Sequence, residues 1–229
     1  MLKRHAPNMK HSLRVLAHLL RYPDAQMRAH ASEMAQALAD EAALPSARID
    51  ELQRLLRHLA SDDAMRVEST YVDVFDRGRS TALHLFEHVH GDSRDRGPAM
   101  IDLIQTYEQA GLYLAPDELP DHLPVLLEFA STQPAAQARE FLSEFAHILQ
   151  VIFSALQKRE SPYASVLAAV LELAGEHAAA VAVAADEPLD ESWAEPEAFG
   201  DCPSAAAAMA GGAQPLRFVK SAANLGAQP

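Results

Sequence analysis

Apolar side chains recur every three or four positions along most of the chain, and no segment sustains the strict alternation of a half-buried strand. This spacing predicts helices. The first apolar stripe, Met9 to Leu20, should end before Pro23, because the residue preceding a proline disfavours helical dihedral angles. Later stripes predict helices over residues 24–39, 134–152 and 161–185. We therefore predict an all-α fold, a single multi-helix bundle.

The composition changes after Ala185. Residues 186–229 are rich in Pro, Gly, Ala and acidic side chains and show no helical stripe. They hold seven acidic residues against two basic ones, a net charge of −5. Such a segment buries too little apolar surface to offset the entropy of ordering it. We expect a helical domain over residues 1–185 and an acidic tail, largely without fixed structure, over residues 186–229.

Charge and cysteine content limit the class of partner and the cellular compartment that we expect. The formal net charge is −13, from 19 Lys and Arg against 32 Asp and Glu, which disfavours nucleic acid as a partner and favours a basic peptide. The single cysteine, Cys202, cannot form a disulfide framework or a CxxC metal site, which fits a reducing compartment. Charged residues interrupt the alanine-rich stretch 166–185, so we expect no stable membrane insertion and a cytoplasmic location.

One short pattern suggests an enzyme. His84, Glu87 and His88 match the H-x-x-E-H order of inverted zinc peptidases. On a helix the two histidines would lie one turn apart and could both reach a metal, with Glu87 near enough to act as a base. No third ligand is marked in the sequence, and a polar helix face is the alternative interpretation. A zinc-dependent peptidase is therefore the second hypothesis.

Two further segments concentrate charge. The loop over residues 92–97 precedes a helix N-terminus that could hold an anion, although its two arginines and two aspartates could simply neutralise each other. Asp121, His122 and Glu128 lie beside a run of leucines, which suits the binding of an amphipathic basic helix. An aspartate that caps an ordinary core helix explains the second segment equally well.

These segments also carry a family resemblance. The runs YVDVFDRGR (residues 71–79) and LHLFEHVHGDSRDRGPAM (residues 83–100) closely resemble the NarJ family, the molybdenum cofactor assembly chaperones of respiratory nitrate reductase. LLRYPD (residues 19–24) and ExPDH (residues 118–122) are similar to the wider, all-helical superfamily of redox-enzyme maturation chaperones. The resemblance extends from about Leu13 to Phe199. Its motif loop contributes His88, His90, Asp92, Arg94, Asp95 and Arg96.

The resemblance implies a chaperone and not an enzyme. Such proteins bind the N-terminal segment of the apo catalytic subunit of respiratory nitrate reductase. They assist insertion of the molybdenum cofactor and an iron–sulfur cluster before membrane attachment. No cofactor or metal of the chaperone's own is expected, and cofactor-biosynthesis proteins are a second class of candidate partner.

We predict that the peptide lies in an apolar groove with an acidic rim. The residues assigned to it are Tyr71, Phe75, Leu83, Phe86, Asp121, His122, Leu123, Leu126, Leu127 and Glu128. Each apolar member could instead belong to the core. Because free imidazole has a pKa of about 6.5, close to neutral pH, we expect acidification to change the affinity for the peptide.

Overall fold

A computed structural model of the chain describes residues 8–91 and 93–182. Over these residues the backbone forms eleven α-helices and no β-strand, which confirms the predicted all-α fold. The helices are α1 (Lys10–Leu19), α2 (Ala25–Ala29), α3 (Ala31–Glu41), α4 (Ser46–Ser61), α5 (Ala64–Tyr71), α6 (Leu85–His90), α7 (Arg96–Gln109), α8 (Leu123–Thr132), α9 (Ala135–Glu144), α10 (Ala146–Lys158) and α11 (Ala164–Ala174). A π-helical turn, Val72–Asp76, follows α5, and a 3-10 turn spans Arg79–Thr81. The predicted tail, residues 186–229, and Asp92 lie outside the described residues.

The core forms around three helices. In α8 and α11 nearly every side chain is buried, as expected for helices that are apolar on all sides. Helix α8 packs against α1 and α9, while α11 packs against α9, α10, α1 and α4. The first predicted stripe is confirmed, since Leu13, Leu16 and Leu19 of α1 are fully buried. None of the described helices has both the length and the hydropathy required to cross a bilayer.

Three of the predicted helices differ from those in the structure: two are interrupted and one ends early. The helix expected over residues 24–39 is interrupted at His30, and the one expected over 134–152 is interrupted at Phe145, where φ is near −95° and ψ near 0°. The last helix ends at Ala174, well before Ala185. Gly175 takes a left-handed conformation there with φ of 90°, which terminates the helix at a glycine C-cap. In the first two cases the interruption carries no proline or glycine.

Candidate peptide-binding cleft

A cleft of about 320 Å³ lies where the π-helical turn, the 3-10 turn and the start of α6 meet. We call it the histidine cleft. Its lining residues are Tyr71, Phe75, Asp76, Gly78, Arg79, Ala82, Leu83, His84, Glu87 and His122. The aromatic rings and Leu83 form an apolar floor, while Asp76 and Glu87 are exposed at the rim. The exposed guanidinium of Arg79 lines the same cleft, which therefore combines an apolar floor with two carboxylates and one basic side chain.

The floor is rigid because its aromatic residues pack on one another. The Tyr71 and Phe75 ring centroids are 4.9 Å apart, and Phe75 meets the ring of Tyr163 edge-on at the same distance. The Tyr71 hydroxyl donates to the Leu20 carbonyl at 2.7 Å, which ties the floor to the end of α1. Burial raises the pKa of Tyr71 well above its ordinary value, so the hydroxyl remains a donor.

Gly78 allows the turn beneath the cleft to close. A Cβ atom at this position would lie 2.8 Å from the Val74 carbonyl oxygen, which is too close for any carbon. The Thr81 hydroxyl donates to the same carbonyl. The sequence YVDVFDRGR thus needs glycine at position 78 because the backbone and Thr81 fill the space.

Two segments far apart in the sequence join at the cleft. His84 and His122 form an isolated antiparallel bridge, in which Leu123 N–H donates to the Leu83 carbonyl at 2.9 Å and Leu85 N–H donates to the Asp121 carbonyl at 3.0 Å. The two imidazole rings stack with centroids 4.9 Å apart. Both histidines therefore stand in the cleft wall.

Asp121 lies behind this wall and is fully buried. Its Oδ2 accepts a hydrogen bond from Phe86 N–H at 3.1 Å and lies 3.6 Å from Arg96 Nη2. Its Oδ1 lies 3.5 Å from His84 Nδ1. Asp121 thus satisfies an N-terminal amide of α6, whereas the sequence had suggested a cap of its own helix. The position before α8 belongs to His122.

The surroundings shift the pKa values of the two histidines in opposite directions. Interaction with the Asp121 carboxylate raises the pKa of His84, and Glu87 adds to this effect, while burial and Arg96 oppose it. Burial lowers the pKa of His122 to about 4, with further contributions from the positive charges of His84 and Arg21. His84 is therefore the imidazole that gains a proton more easily, and His122 stays neutral near pH 7.

The remaining predicted residues lie elsewhere. The three leucines of α8, at positions 123, 126 and 127, are fully buried in the core and present no surface to the cleft. Phe86 is half-buried, with its ring 5.6 Å from that of His90. Glu128 lines a different cleft, of about 400 Å³, and its Oε1 lies 3.0 Å from Arg21 Nη2. Of the ten residues assigned to the groove, the histidine cleft brings together Tyr71, Phe75, Leu83 and His122.

The sequence assignment omitted several residues that line the cleft. The ten residues predicted for the groove do not include His84, Asp76, Arg79 or Glu87. All four lie within the two runs that carry the family resemblance. Their position within those runs is the sequence signal that could have identified them as site residues.

The H-x-x-E-H pattern does not form a metal site in the described part of the chain. His84 precedes α6 and has an extended backbone, with φ of −86° and ψ of 100°, so it does not share a helical turn with His88. The His88 Nε2 atom lies 2.8 Å from the Ala82 carbonyl oxygen, so this ring nitrogen is engaged by the main chain. No group of three or more His, Cys, Asp or Glu side chains within the described ranges could hold a metal ion.

The motif loop supports a structural role more than an anion site. Arg96 Nη2 lies 3.3 Å from Glu87 Oε1 as well as near Asp121, so its charge is committed to acids outside the loop. Asp95 exchanges hydrogen bonds with Ser93, and Arg94 is exposed. Arg96 thereby fastens the start of α7 to the back of the cleft.

Comparison with known proteins identifies the family. The model described as "Nitrate reductase delta subunit" matches residues 23–169. The chain is 46% identical over 160 residues to the nitrate reductase molybdenum cofactor assembly chaperone NarJ of Escherichia coli (strain K12), covering 70% of this chain and 68% of that protein. It is 40% identical over 163 residues to the probable chaperone NarW of the same strain, covering 71% and 68%. With the probable chaperone NarJ of Bacillus subtilis (strain 168) it shares 33% identity over 156 residues, covering 68% and 84%. The chain belongs to the nitrate reductase delta subunit family, to which its resemblance to NarJ had pointed.

Proposed function

We propose that this chain is a maturation chaperone for a nitrate reductase. It binds the N-terminal segment of the apo catalytic subunit and assists insertion of the molybdenum cofactor and an iron–sulfur cluster before the enzyme reaches the membrane. The observation that carries this proposal is the 46% identity over 160 residues to a relative named as a molybdenum cofactor assembly chaperone.

The histidine cleft supports the binding step. Its apolar floor can take the apolar side chains of a short segment. The exposed carboxylates of Asp76 and Glu87, which outnumber the guanidinium of Arg79 in the lining, attract basic side chains. The net charge of −13 acts over a longer range in the same direction, because it steers a basic segment towards the protein. Affinity then comes from the floor, and orientation comes from the rim.

Cofactor insertion requires that the client stay open until it is loaded. A chaperone can favour the open apo state only by binding it more tightly than the mature state. A site that binds the client's N-terminal segment only while that segment is accessible in the apo state meets this condition. Release then follows from maturation, and the chaperone needs no chemistry of its own.

Isothermal titration calorimetry with the client's N-terminal peptide tests the proposal. The double substitution Asp76→Asn and Glu87→Gln removes both carboxylate charges of the rim while conserving shape. We expect the dissociation constant to rise by about threefold to tenfold, the usual range for two exposed charge pairs. Asp102→Asn with Glu108→Gln, a matched pair of exposed acids on α7, should leave the affinity unchanged. Equal affinities for both double variants would contradict the assignment of the cleft, and no binding by the wild-type protein would contradict the function.

A further inference from the structure

The wall of the histidine cleft contains an Asp–His pair that the proposed function does not yet use. The His84 side chain is 34% exposed and lines the cleft, whereas Asp121 lies fully buried behind it. The His84 Nδ1 atom is buried and faces Asp121 Oδ1 at 3.5 Å. A carboxylate placed against Nδ1 sets the orientation and tautomer of an imidazole and leaves Nε2 for a partner on its other side.

The carboxylate is held firmly enough to do this. Asp121 Oδ2 is engaged by Phe86 N–H at 3.1 Å and lies near Arg96, so the group cannot rotate freely. Its Oδ1 has no hydrogen-bond partner in the described part of the chain other than the approach of His84. A buried carboxylate oxygen without a partner is costly, and contact with a protonated imidazole relieves that cost.

We propose that His84 donates a hydrogen bond from Nε2 to a main-chain carbonyl of the bound segment, and that buried Asp121 is the positioning residue that holds His84 for it. This inference rests on the proposed function, because the occupant is the N-terminal segment of the apo catalytic subunit. A main-chain carbonyl is the fitting acceptor for His84. The protonated imidazole would repel the basic side chains of the segment, and these pair with the carboxylates of the rim instead. Every peptide supplies such carbonyls.

The groups around His84 fit this role. Asp121 and Glu87 favour its protonated form, while burial and, more weakly, Arg96 oppose it, and the net effect is a raised pKa of His84. His122 stacks on the same ring, but burial keeps it neutral near pH 7, so a proton on His84 is not repelled by a second charge in the stack. The buried carboxylate thus orients the ring before the peptide arrives, and the protonated form of His84 presents its Nε2–H as a preorganised donor.

The test compares peptide affinity across pH for the full-length wild-type protein, His84→Ala, Asp121→Asn and the control His90→Ala, with circular dichroism to verify folding. His90 lies in α6 outside the cleft lining. His84→Ala should bind the client's N-terminal peptide about tenfold more weakly at pH 6.5, as expected for loss of a charge-assisted hydrogen bond. Its affinity should no longer fall as the pH rises, whereas His90→Ala should keep the wild-type profile.

Asp121→Asn separates positioning from a structural role. The asparagine oxygen can still accept from Phe86 N–H, but the negative charge facing His84 is gone. We expect NMR titration of the His84 ring proton to show a lower pKa, and the loss of affinity to move to lower pH by the same interval. Affinity and pH profile unchanged in His84→Ala, or a weakened Asp121→Asn with unchanged His84 titration, would overturn the inference. Absence of binding by the wild-type protein would instead overturn the proposed function.

Discussion

The turn that carries Asp121 and His122 is tied to α7 by one buried hydroxyl. Tyr107 is 2% exposed, and its hydroxyl donates to the Pro120 carbonyl at 2.8 Å. Substituting Tyr107→Phe removes this donor but conserves the ring, which packs against Phe129 with centroids 4.7 Å apart. The change therefore isolates one hydrogen bond from the packing around it.

The expected magnitude follows from burial on both sides of this bond. Pro120 is buried, so its carbonyl cannot turn to water when the Tyr107 donor is lost. A buried acceptor left without its partner costs about 1–3 kcal/mol. For a domain of this size each kcal/mol lowers the melting temperature by about 2–4 °C, which gives a decrease of about 2–12 °C.

Urea unfolding and calorimetry measure this loss, and Tyr113→Phe supplies the control. Tyr113 is 80% exposed, so the same deletion of a hydroxyl should change the free energy of unfolding by less than about 0.5 kcal/mol. If both variants lost equal stability, or if Tyr107→Phe were as stable as wild type, the reasoning about the Pro120 carbonyl would be refuted.

Three other predictions concern pH, backbone space and the core. His122, whose pKa is lowered to about 4, contributes stability that is present above pH 6.5 and lost as the pH falls towards 4; His84, whose pKa is raised, contributes stability that is complete below pH 6.5 and lost at higher pH. These two contributions should lower the urea midpoint of the protein on both sides of about pH 6.5. A urea midpoint that does not change with pH would refute the opposite shifts of His84 and His122. Gly78→Ala should cost about 1–3 kcal/mol in urea unfolding, because its Cβ would meet backbone, whereas Gly97→Ala, which meets nothing within 4 Å, should not destabilise the protein. Leu126→Ala should cost about 2–5 kcal/mol as a fully buried core residue, and peptide affinity of the remaining folded protein should be unchanged.

The fold was predictable where the signal is local. The stripe of α1 and its end before Pro23 follow from spacing and from one proline, and both are present in the structure. The interruptions at His30 and Phe145 are different, since neither position carries a residue that breaks helices. The packing partners change there, since α9 packs against α8 and α11 whereas α10 packs against α11 and the 3-10 turn. Single-residue propensity cannot report such a change.

The site was less predictable because its contacts join distant segments. No periodicity connects His84 with His122, and their bridge depends on how two turns meet in space. An aspartate at position 121 could be read from the sequence as a cap, but not as the cap of α6. The leucines of α8 were ambiguous for the same reason: an apolar helix face looks the same whether it meets the core or a guest.

Asp121 also bears on why a charge is buried here at all. A buried carboxylate is costly, and a neutral residue could accept the Phe86 amide without that cost. If folding were the only requirement, Asp121→Asn should be at least as stable as wild type, because the asparagine keeps the acceptor and removes the desolvated charge. The charge then acts on the charged groups beside it, and of its two ion-pair partners, His84 and Arg96, His84 is the one that lines the cleft. A stable Asp121→Asn variant with impaired binding would show that the cleft, and not the fold, requires the buried charge; a strongly destabilised one would assign the charge to the fold through Arg96.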